Sequence, residues 1–358
     1  MLESIAKQYG FPENECTLQP FGNGLINNTW ILNYRDDQFI FQKINVSVFT
    51  SPSAIAENLH QLNIFFKAHF PDYLFVNPVA TIHNEEMFFL QKIGYCRLFK
   101  FVKASVTFDT VANTDIAFEG ARQFGKFTKL LSAFDISKLQ ITLPDFHNLT
   151  MRYQQFEEAL QKGNKDRIQE SEASILYIIA KKNIVDIFNQ IQNNPFFKKR
   201  VTHHDTKISN VLFDISGNGL CVIDLDTVMP GYFISDVGDM IRTYVSPVSE
   251  EENDFSKINI REDYFQAIVD GYLSEMKNEL SDEEKNYFVY AGKFMIYMQA
   301  IRFLADYLNN DIYYGSKYPG HNLIRCNNQL ELLQQLLAKE ELLQSKVSMF
   351  IAQETPVI

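Results

Sequence analysis

One polar segment, followed by two apolar runs, constrains this chain more than any other part of it. It runs His203-His204-Asp205-Thr206-Lys207-Ile208-Ser209-Asn210 and continues into apolar Val211-Leu212-Phe213. After a Gly-containing turn, a second apolar run ends in Asp224-Leu225-Asp226. The pattern predicts a polar loop that enters a two-stranded hairpin, with Asp205 on the loop and Asp224 at the end of the second strand.

Oxygen-bearing side chains in this segment suit phosphoryl transfer. That reaction needs a carboxylate to orient the acceptor hydroxyl and a metal to neutralise phosphate charge. We expect Asp205 to orient the hydroxyl, and Asn210 and Asp224 to bind Mg²⁺ through the hard oxygen donors that it prefers. Asp226 is expected as a further metal ligand, and Lys207 as a cation near the transferring phosphate. The alternatives are a solvated lysine and, for the segment as a whole, an ordinary polar turn.

The segment resembles the catalytic region of the aminoglycoside phosphotransferase and choline kinase group, and the resemblance covers nearly the full chain. It implies an α+β, protein-kinase-like bilobal fold, with a small antiparallel sheet in the N-terminal lobe and a mostly helical C-terminal lobe. It also implies a small-molecule kinase that uses ATP and Mg²⁺. Asp224-Leu225-Asp226 replaces the Asp-Phe-Gly of protein kinases, and no Ala-Pro-Glu segment follows. A protein substrate is therefore disfavoured.

Longer runs resemble the N-acetylhexosamine 1-kinases. They comprise residues 204–214, 222–231, 236–242, 144–148, 302–308 and 318–323. The resemblance implies phosphorylation of the anomeric hydroxyl of N-acetylglucosamine or N-acetylgalactosamine to give the sugar 1-phosphate. Two alternatives stay open: a kinase of another hydroxylated acceptor, such as an aminoglycoside, choline, ethanolamine or homoserine, and an inactive nucleotide- or sugar-binding module.

Residue patterns divide the chain at about residue 105, with a linker near residues 103–113. Alternating apolar residues predict an antiparallel sheet in residues 18–43, and a helix is predicted from Ser53 to about His69. Further strands are predicted at residues 75–82, 87–91 and 97–102. We expect residues 1–105 to form the nucleotide-binding lobe.

Residues 106–358 are expected to form the helical lobe that carries the catalytic loop and the acceptor site. Helices are predicted at residues 115–133, 152–162, 171–192 and within 260–345, with short strands at 211–214 and 220–224. One helix is predicted to begin with the capping box Ser281-Asp282-Glu283-Glu284.

A candidate phosphate-binding turn lies at Gly22-Asn23-Gly24. Little side-chain bulk there would let backbone N–H groups approach phosphates. Asn27 stands where the protein-kinase pattern has its third glycine, and Asn-Gly is also an ordinary hairpin turn.

Other candidate nucleotide contacts follow along the first lobe. Lys43 on the predicted third strand is expected to contact the α- and β-phosphates, and Glu57 on the next helix to hold Lys43. An exposed lysine and an exposed glutamate are the alternative. We expect adenine to lie near Phe99 to Val102, bound by main-chain groups.

Recognition of the acceptor is expected in the second lobe. Arg302 and Asp306 lie four residues apart on one face of an apolar helix, so both are candidate sugar contacts, with a mutual salt bridge as the alternative. Asp236 is expected to accept hydrogen bonds from the catalytic-loop backbone. Further candidates, for which surface polarity is the alternative, are Asp145, His147, Tyr318, His321 and Arg325.

Composition narrows the class of protein. The chain has 33 Lys and Arg against 44 Asp and Glu, a net charge of −11, which disfavours binding to nucleic acid or anionic membrane. Four dispersed cysteines indicate neither a disulfide framework nor a zinc site. The sequence shows no signal-peptide pattern and no apolar run near the ~20 residues that cross a bilayer. We expect a soluble, cytoplasmic protein, and the sequence does not indicate its oligomeric state.

Overall fold

Two compact units make up the chain, and each contains segments that are distant in sequence. The computed structural model describes residues 1–22 and 26–353. Unit 1 comprises Met1–Val106, Ala133–Pro144 and Val211–Pro230. Unit 2 comprises Thr107–Ser132, Asp145–Asn210 and Gly231–Ile358. The domain boundary at residues 105 and 106 stays a prediction, and the compact units interleave along the chain.

The first part of the chain alternates short strands with two helices. Its elements are α1 (Leu2–Tyr9), β1 (Cys16–Pro20), β2 (Asn28–Tyr34), β3 (Asp37–Lys43), α2 (Pro52–His69), β4 (Phe88–Leu90) and β5 (Gly94–Lys100). The five strands form one antiparallel sheet in the order β1-β2-β3-β5-β4. The predicted small antiparallel sheet is confirmed.

Period-two alternation places apolar side chains on one face of this sheet. Phe39 and Phe41 of β3 and Leu98 of β5 are buried, and Ile5 of α1 packs in the same cluster. Burying each such side chain stabilises the folded chain by about 1.5–3 kcal/mol relative to leaving it exposed.

The strand predicted at residues 75–82 is wrong. Only an isolated bridge between Pro78 and Phe99 forms there, because proline has no N–H to continue a ladder.

The rest of the chain is mostly helical. Its elements are α3 (Thr114–Leu130), α4 (Leu149–Lys162), α5 (Lys165–Glu170), α6 (Glu172–Ala180), α7 (Asn183–Asn193), β6 (Arg200–Thr202), β7 (Val211–Phe213), β8 (Gly219–Val222), β9 (Met229–Gly231), α8 (Phe233–Tyr244), α9 (Glu262–Met276), α10 (Asp282–Lys285), α11 (Phe288–Leu308), α12 (His321–Ala338) and α13 (Glu340–Gln353). The mostly helical C-terminal part and the β7–β8 hairpin are confirmed.

Sequence details explain two helix ends in unit 2. The predicted capping box begins α10, where the Ser281 hydroxyl accepts from the Glu284 backbone N–H and the Glu284 carboxylate accepts from the Ser281 N–H. The single helix predicted at residues 171–192 is instead two helices. Lys181 and Lys182 donate to carbonyls three residues back, which tightens and ends α6 before α7 starts.

Unit 2 is built around α11, almost all of whose residues are buried. This helix packs against α4, α8 and α12. Helices α3 and α9 approach closely at Gly271, where a Cβ atom would lie 2.2 Å from the Phe118 carbonyl oxygen. No helix in residues 1–22 and 26–353 is long and apolar enough to cross a membrane.

Candidate active site

The loop after β6 carries Asp205. His204 adopts a left-handed backbone conformation (φ 67°), which turns the chain away from the strand, and Asp205 follows with its side chain 20% exposed. The Asn210 amide nitrogen donates to the Asp205 carbonyl oxygen at 2.8 Å. Because this bond fixes the carboxamide, its oxygen is oriented as an acceptor, which suits a metal ligand.

Helix α8 fixes this loop through two buried aspartates. The Asp236 carboxylate accepts from the backbone N–H groups of His203 at 3.0 Å and His204 at 2.7 Å. Asp239 accepts from the Thr206 N–H at 2.9 Å. The brace predicted for Asp236 is confirmed, and Asp239 shares it. Such fixed hydrogen bonds preorganise a catalytic loop.

Charge around the loop keeps Asp205 ionised. Burial, the largest single influence, raises the pKa of Asp205, but the attraction and hydrogen bond of the Lys207 ammonium, 3.0 Å away, together with His203 and Asn210, leave that pKa below its ordinary value. The same attraction raises the pKa of Lys207. Burial raises the pKa of Asp236 to about 7, although its two backbone donors act in the opposite direction.

A cavity of about 320 Å³ lies in unit 2 between α4, α11 and the segment after α11. Its lining includes the predicted residues Arg302 and Asp306, together with Arg152 and Tyr314. The Arg302 guanidinium lies 5.5 Å from the Tyr314 ring centroid and 5.7 Å from that of Phe146. The cavity therefore combines cationic donors with an aromatic face.

Asp306 supports the wall of this cavity. Its carboxylate accepts from the backbone N–H groups of Tyr313 at 2.7 Å and Tyr314 at 2.9 Å, and from the Asn322 amide at 3.2 Å. The mutual salt bridge considered for Arg302 and Asp306 is wrong, because the carboxylate faces this loop and Arg302 donates to Gln299. A direct sugar contact for Asp306 stays a prediction.

The other predicted acceptor residues differ in their surroundings. The His147 ring stacks on Phe146, with the ring centroids 4.4 Å apart, and lies 5.3 Å from the His204 ring. Burial, and after it the electrostatic repulsion of His204, lowers the pKa of His147 well below the ordinary value. His147 therefore contacts both the residue before Asp205 and Phe146, whose ring faces the Arg302 guanidinium. Asp145 is exposed and accepts from Asn148, and Tyr318 is 41% exposed beside His321. In the described part of unit 2, neither Asp145 nor Tyr318 lines the cavity.

The candidate nucleotide residues lie in unit 1. Gly22 has a positive φ of 72°, and Asn23 and Gly24 lie outside the described residues. Lys43 ends β3, where it pairs with Cys96 of β5.

The pair expected between Lys43 and Glu57 does not form. Glu57 lies on the exposed face of α2 and accepts from Gln61, one turn later, at 2.8 Å. Asn58, the next residue, is the one that faces inward, and it bonds Gln140 and Val228. Because successive helical residues point about 100° apart, Glu57 is turned away from the interior.

The predicted adenine segment lies at the end of β5. Phe99 pairs with Ile40 and is half-buried, and its ring lies 4.8 Å from the Arg97 guanidinium. Val102 follows the strand and is also half-buried. Adenine contact stays a prediction for both.

Asp224 and Asp226 occupy different environments. Asp224 follows β8 in a left-handed backbone conformation (φ 59°) and is exposed to solvent. Asp226 is 1% exposed, and its carboxylate oxygens accept from Arg97 at 2.5 Å and Asn27 at 2.8 Å. Both Asp226 oxygens therefore already have buried donors in this structure, and the metal role predicted for Asp226 stays a prediction.

A Mg²⁺ ion prefers hard oxygen donors, such as carboxylate and amide oxygens. In residues 1–22 and 26–353, no group of three or more His, Cys, Asp or Glu side chains could hold a metal by itself. Amide and carboxylate oxygens suit Mg²⁺, which keeps several waters and completes its shell with substrate phosphates, and the metal roles of Asn210 and Asp224 stay predictions.

A family model described as "phosphotransferase enzyme family" matches residues 17–271, which is more than half of the chain. The chain belongs to this phosphotransferase family. The match confirms the enzyme class that the sequence predicts, a phosphotransferase that acts on a small-molecule hydroxyl.

Solved structures share the fold of this phosphotransferase. An aminoglycoside phosphotransferase from Alicyclobacillus acidocaldarius is 11% identical, with a TM-score of 0.66, and the match covers 98% of this chain and 97% of that one. Amicoumacin kinase is 12% identical (TM-score 0.63, 93% and 92% covered), and a microcompartment-associated aminopropanol kinase is 14% identical (TM-score 0.62, 96% and 99% covered). The predicted kinase-like fold is confirmed.

Proposed function

We propose that this phosphotransferase transfers the γ-phosphoryl group of ATP to the anomeric hydroxyl of an N-acetylhexosamine, giving the sugar 1-phosphate. The observation that carries the proposal is the Asp205 loop, braced by Asp236 and Asp239, in the same unit as a cavity whose lining has more cationic than anionic side chains. The sequence runs that resemble N-acetylhexosamine 1-kinases support the same acceptor.

Asp205 is proposed to accept the hydrogen bond of the attacking hydroxyl and so to orient it in line with the phosphate. Its lowered pKa keeps the carboxylate available as an acceptor at neutral pH. Lys207, 3.0 Å from that carboxylate and 47% exposed, is proposed to offset charge on the transferring group.

ATP and Mg²⁺ are the proposed cofactors. Asn210 and Asp224 are proposed to bind Mg²⁺, which neutralises charge on the phosphates during transfer. Gly22, Lys43 and the backbone near Phe99 and Val102 are proposed to bind the nucleotide. Amicoumacin kinase was solved with AMP-PNP and Ca²⁺, and a spectinomycin phosphotransferase with ADP, which supports a nucleotide for this chain as well.

Cavity charge favours a neutral, oxygen-rich acceptor over a cationic one. Among the described residues, neither Arg152 nor Arg302 forms an ion pair with a carboxylate: Arg152 donates to the backbone carbonyls of Asp145 and Phe146, and both arginines also donate to glutamine side chains. Burial, followed by repulsion from Arg302, lowers the pKa of Arg152. Choline, ethanolamine and aminoglycosides carry positive charge, which two such guanidinium groups repel.

Cavity size supports a monosaccharide. About 320 Å³ lies at the small end of the roughly 300–1,000 Å³ typical of ligand sites. Guanidinium groups donate to hydroxyl and acyl oxygens, and aromatic rings such as Tyr314 pack against sugar faces. An N-acetylhexosamine offers hydroxyl and acyl oxygens to the guanidinium groups and a sugar face to the aromatic ring.

A product analysis tests the proposal. The chain is incubated with Mg·ATP and, separately, N-acetylglucosamine, N-acetylgalactosamine, glucose, choline, ethanolamine and an aminoglycoside, and ADP release is measured. We expect release only with the N-acetylhexosamines, and phosphorus coupling to the anomeric proton in the NMR spectrum of the product. The matched control is the methyl glycoside of N-acetylglucosamine, whose anomeric oxygen is blocked and which should not react. Turnover of that glycoside, or of cationic acceptors alone, would contradict the proposal.

A further inference from the structure

Unit 1 contains an ion pair whose two side chains are almost completely buried. Arg97 on β5 donates through Nη1 to the Asp226 carboxylate at 2.5 Å, and each side chain is 2% exposed. Asp226 lies in the turn two residues after Asp224. A buried ion pair persists only when nearly all of its donors and acceptors are satisfied, because removing two charges from water costs several kcal/mol per ion.

Both members of the pair bond further groups near the proposed nucleotide residues. The second Asp226 oxygen accepts from the Asn27 amide at 2.8 Å, and the Asn27 side-chain oxygen accepts from the Asn45 N–H at 3.0 Å. The Arg97 Nε and Nη2 atoms donate to the Gln42 side-chain oxygen at 3.1 Å and 2.8 Å.

This network joins three places that the proposed function needs in fixed positions. Asn27 follows the glycine-rich turn, Gln42 immediately precedes Lys43, and Asp226 is in the same turn as Asp224. Glu57 does not hold these places together through Lys43, since its carboxylate accepts a hydrogen bond from Gln61 on the exposed side of α2.

We infer that Arg97 and Asp226 are positioning residues for the metal-bound nucleotide, a conclusion that rests on the proposed function. Neither side chain binds nucleotide or metal. The pair holds the turn of Asp224 against the sheet strand that neighbours Lys43, and Asn27 extends the link to the start of β2. Buried polar networks of this kind restrict a structure to one arrangement when every member is satisfied.

Binding of Mg·AMP-PNP, measured by calorimetry, tests the inference without turnover or acceptor. We expect Asp226→Asn and Arg97→Gln each to raise the Kd about 10-fold or more, and the double variant to bind no more weakly than the worse single variant. Non-additivity is expected because each substitution breaks the same interaction. The matched control is the Arg35–Glu15 pair of the same unit, at 2.6 Å but 64% and 36% exposed, where Arg35→Gln and Glu15→Gln should leave the Kd unchanged.

Two further measurements separate positioning from metal ligation and from folding. If Asp226 were a metal ligand, Asp226→Asn alone would raise the Mg²⁺ concentration needed for half-maximal binding, and Arg97→Gln would not; that result would overturn the inference. The apolar double variant Arg97→Met, Asp226→Leu should keep the melting temperature, because packed apolar residues can replace a buried ion pair. It should nonetheless bind Mg·AMP-PNP at least 10-fold more weakly than the wild-type chain.

Wild-type affinity in the apolar double variant would overturn the inference and leave the proposed function standing. Failure of the wild-type chain to bind Mg·AMP-PNP at all would overturn the proposed function, and the inference with it.

Discussion

The Asp205 loop of unit 2 and the Asp226 turn of unit 1 are held in place by different means. The loop is braced by nearby sequence: Thr206 and Asp239, and His203 and Asp236, are each 33 residues apart. The Asp226 turn is held by Arg97, 129 residues away, and by Asn27, 199 residues away. The Asp205 loop is therefore held by residues at a short, fixed distance along the sequence. The turn that contains Asp224 and Asp226 is instead held by residues far away in sequence, which the spacing of a motif does not identify.

The largest expected effect concerns the loop. Asp205→Asn should lower kcat about 10³-fold, because the carboxylate that orients the hydroxyl becomes a weaker, neutral acceptor. The Kd for Mg·AMP-PNP should change less than twofold. Initial-rate kinetics and calorimetry check both values, with exposed Asp263→Asn as the control. Full turnover by Asp205→Asn would remove Asp205 from its proposed role.

The brace of the loop is expected to matter next. Asp236→Ala should lower the free energy of unfolding by about 3 kcal/mol, since two buried backbone N–H groups lose their acceptor. It should also lower kcat, because the loop loses its fixed geometry. Chemical denaturation measures the change, and Asp263→Asn should stay within about 0.5 kcal/mol of wild type. An unchanged free energy would show that the loop does not depend on this local brace.

A smaller effect is expected at the cavity. Arg302→Met should raise KM for the sugar about 10-fold while KM for ATP stays constant, because a guanidinium donor to the acceptor is lost. Arg35→Met, at an exposed site, is the control. A rise in KM for ATP instead would place Arg302 in nucleotide binding.

The dependence of the free energy of unfolding on pH tests whether the Asp236 carboxyl group is protonated in the folded chain. Burial raises the folded-state pKa of Asp236 from 3.8 to about 7, so its contribution to stability is complete below the unfolded pKa and is lost as pH rises through about 7. Between pH 6 and 7, this group should lower the free energy of unfolding by up to about 1.4 kcal/mol per pH unit. Denaturation of wild type and Asp236→Asn should show that slope only in wild type, and parallel curves would contradict the prediction.

The smallest expected effect on nucleotide binding concerns Glu57, which we compare with Lys43. Glu57→Gln should change the Kd for Mg·AMP-PNP less than twofold, because Glu57 is exposed and bonds Gln61. Lys43→Met should weaken the same binding about 10-fold by removing a phosphate contact. Calorimetry on both variants checks the pair, and a large effect of Glu57→Gln would restore the Lys43–Glu57 pair as the ordering contact.

Sequence periodicity predicts most of the fold. Alternation finds the sheet of residues 18–43, and the Ser281 capping box marks the start of α10, because both signals are local. Local patterns fail where backbone chemistry intervenes: Pro78 prevents a strand at residues 75–82, and three-residue bonds at Lys181 divide a predicted helix.

The candidate site divides in the same way. Asp205, Asn210 and Asp236 follow from spacing within one motif, and their backbone contacts agree with it. Sequence reasoning missed Arg97, although an arginine between Cys96 and Leu98 in an apolar strand is a signal of a buried charge.

What the sequence cannot supply is the partner of that charge. The chain has 44 carboxylate side chains, and only the fold selects Asp226 among them. Helix phase decides similarly between neighbours, because Asn58 faces inward and Glu57 does not.

The most direct test of the proposed site is a crystal structure of the chain with Mg·AMP-PNP and N-acetylglucosamine. We expect the Asn210 amide oxygen and the Asp224 carboxylate to ligate Mg²⁺ at about 2.0–2.1 Å. We also expect Asp205 to bond the anomeric hydroxyl and Asp226 to stay paired with Arg97. A metal ligated by Asp226 with its Arg97 bond broken, or a sugar bound away from Asp205, would contradict it.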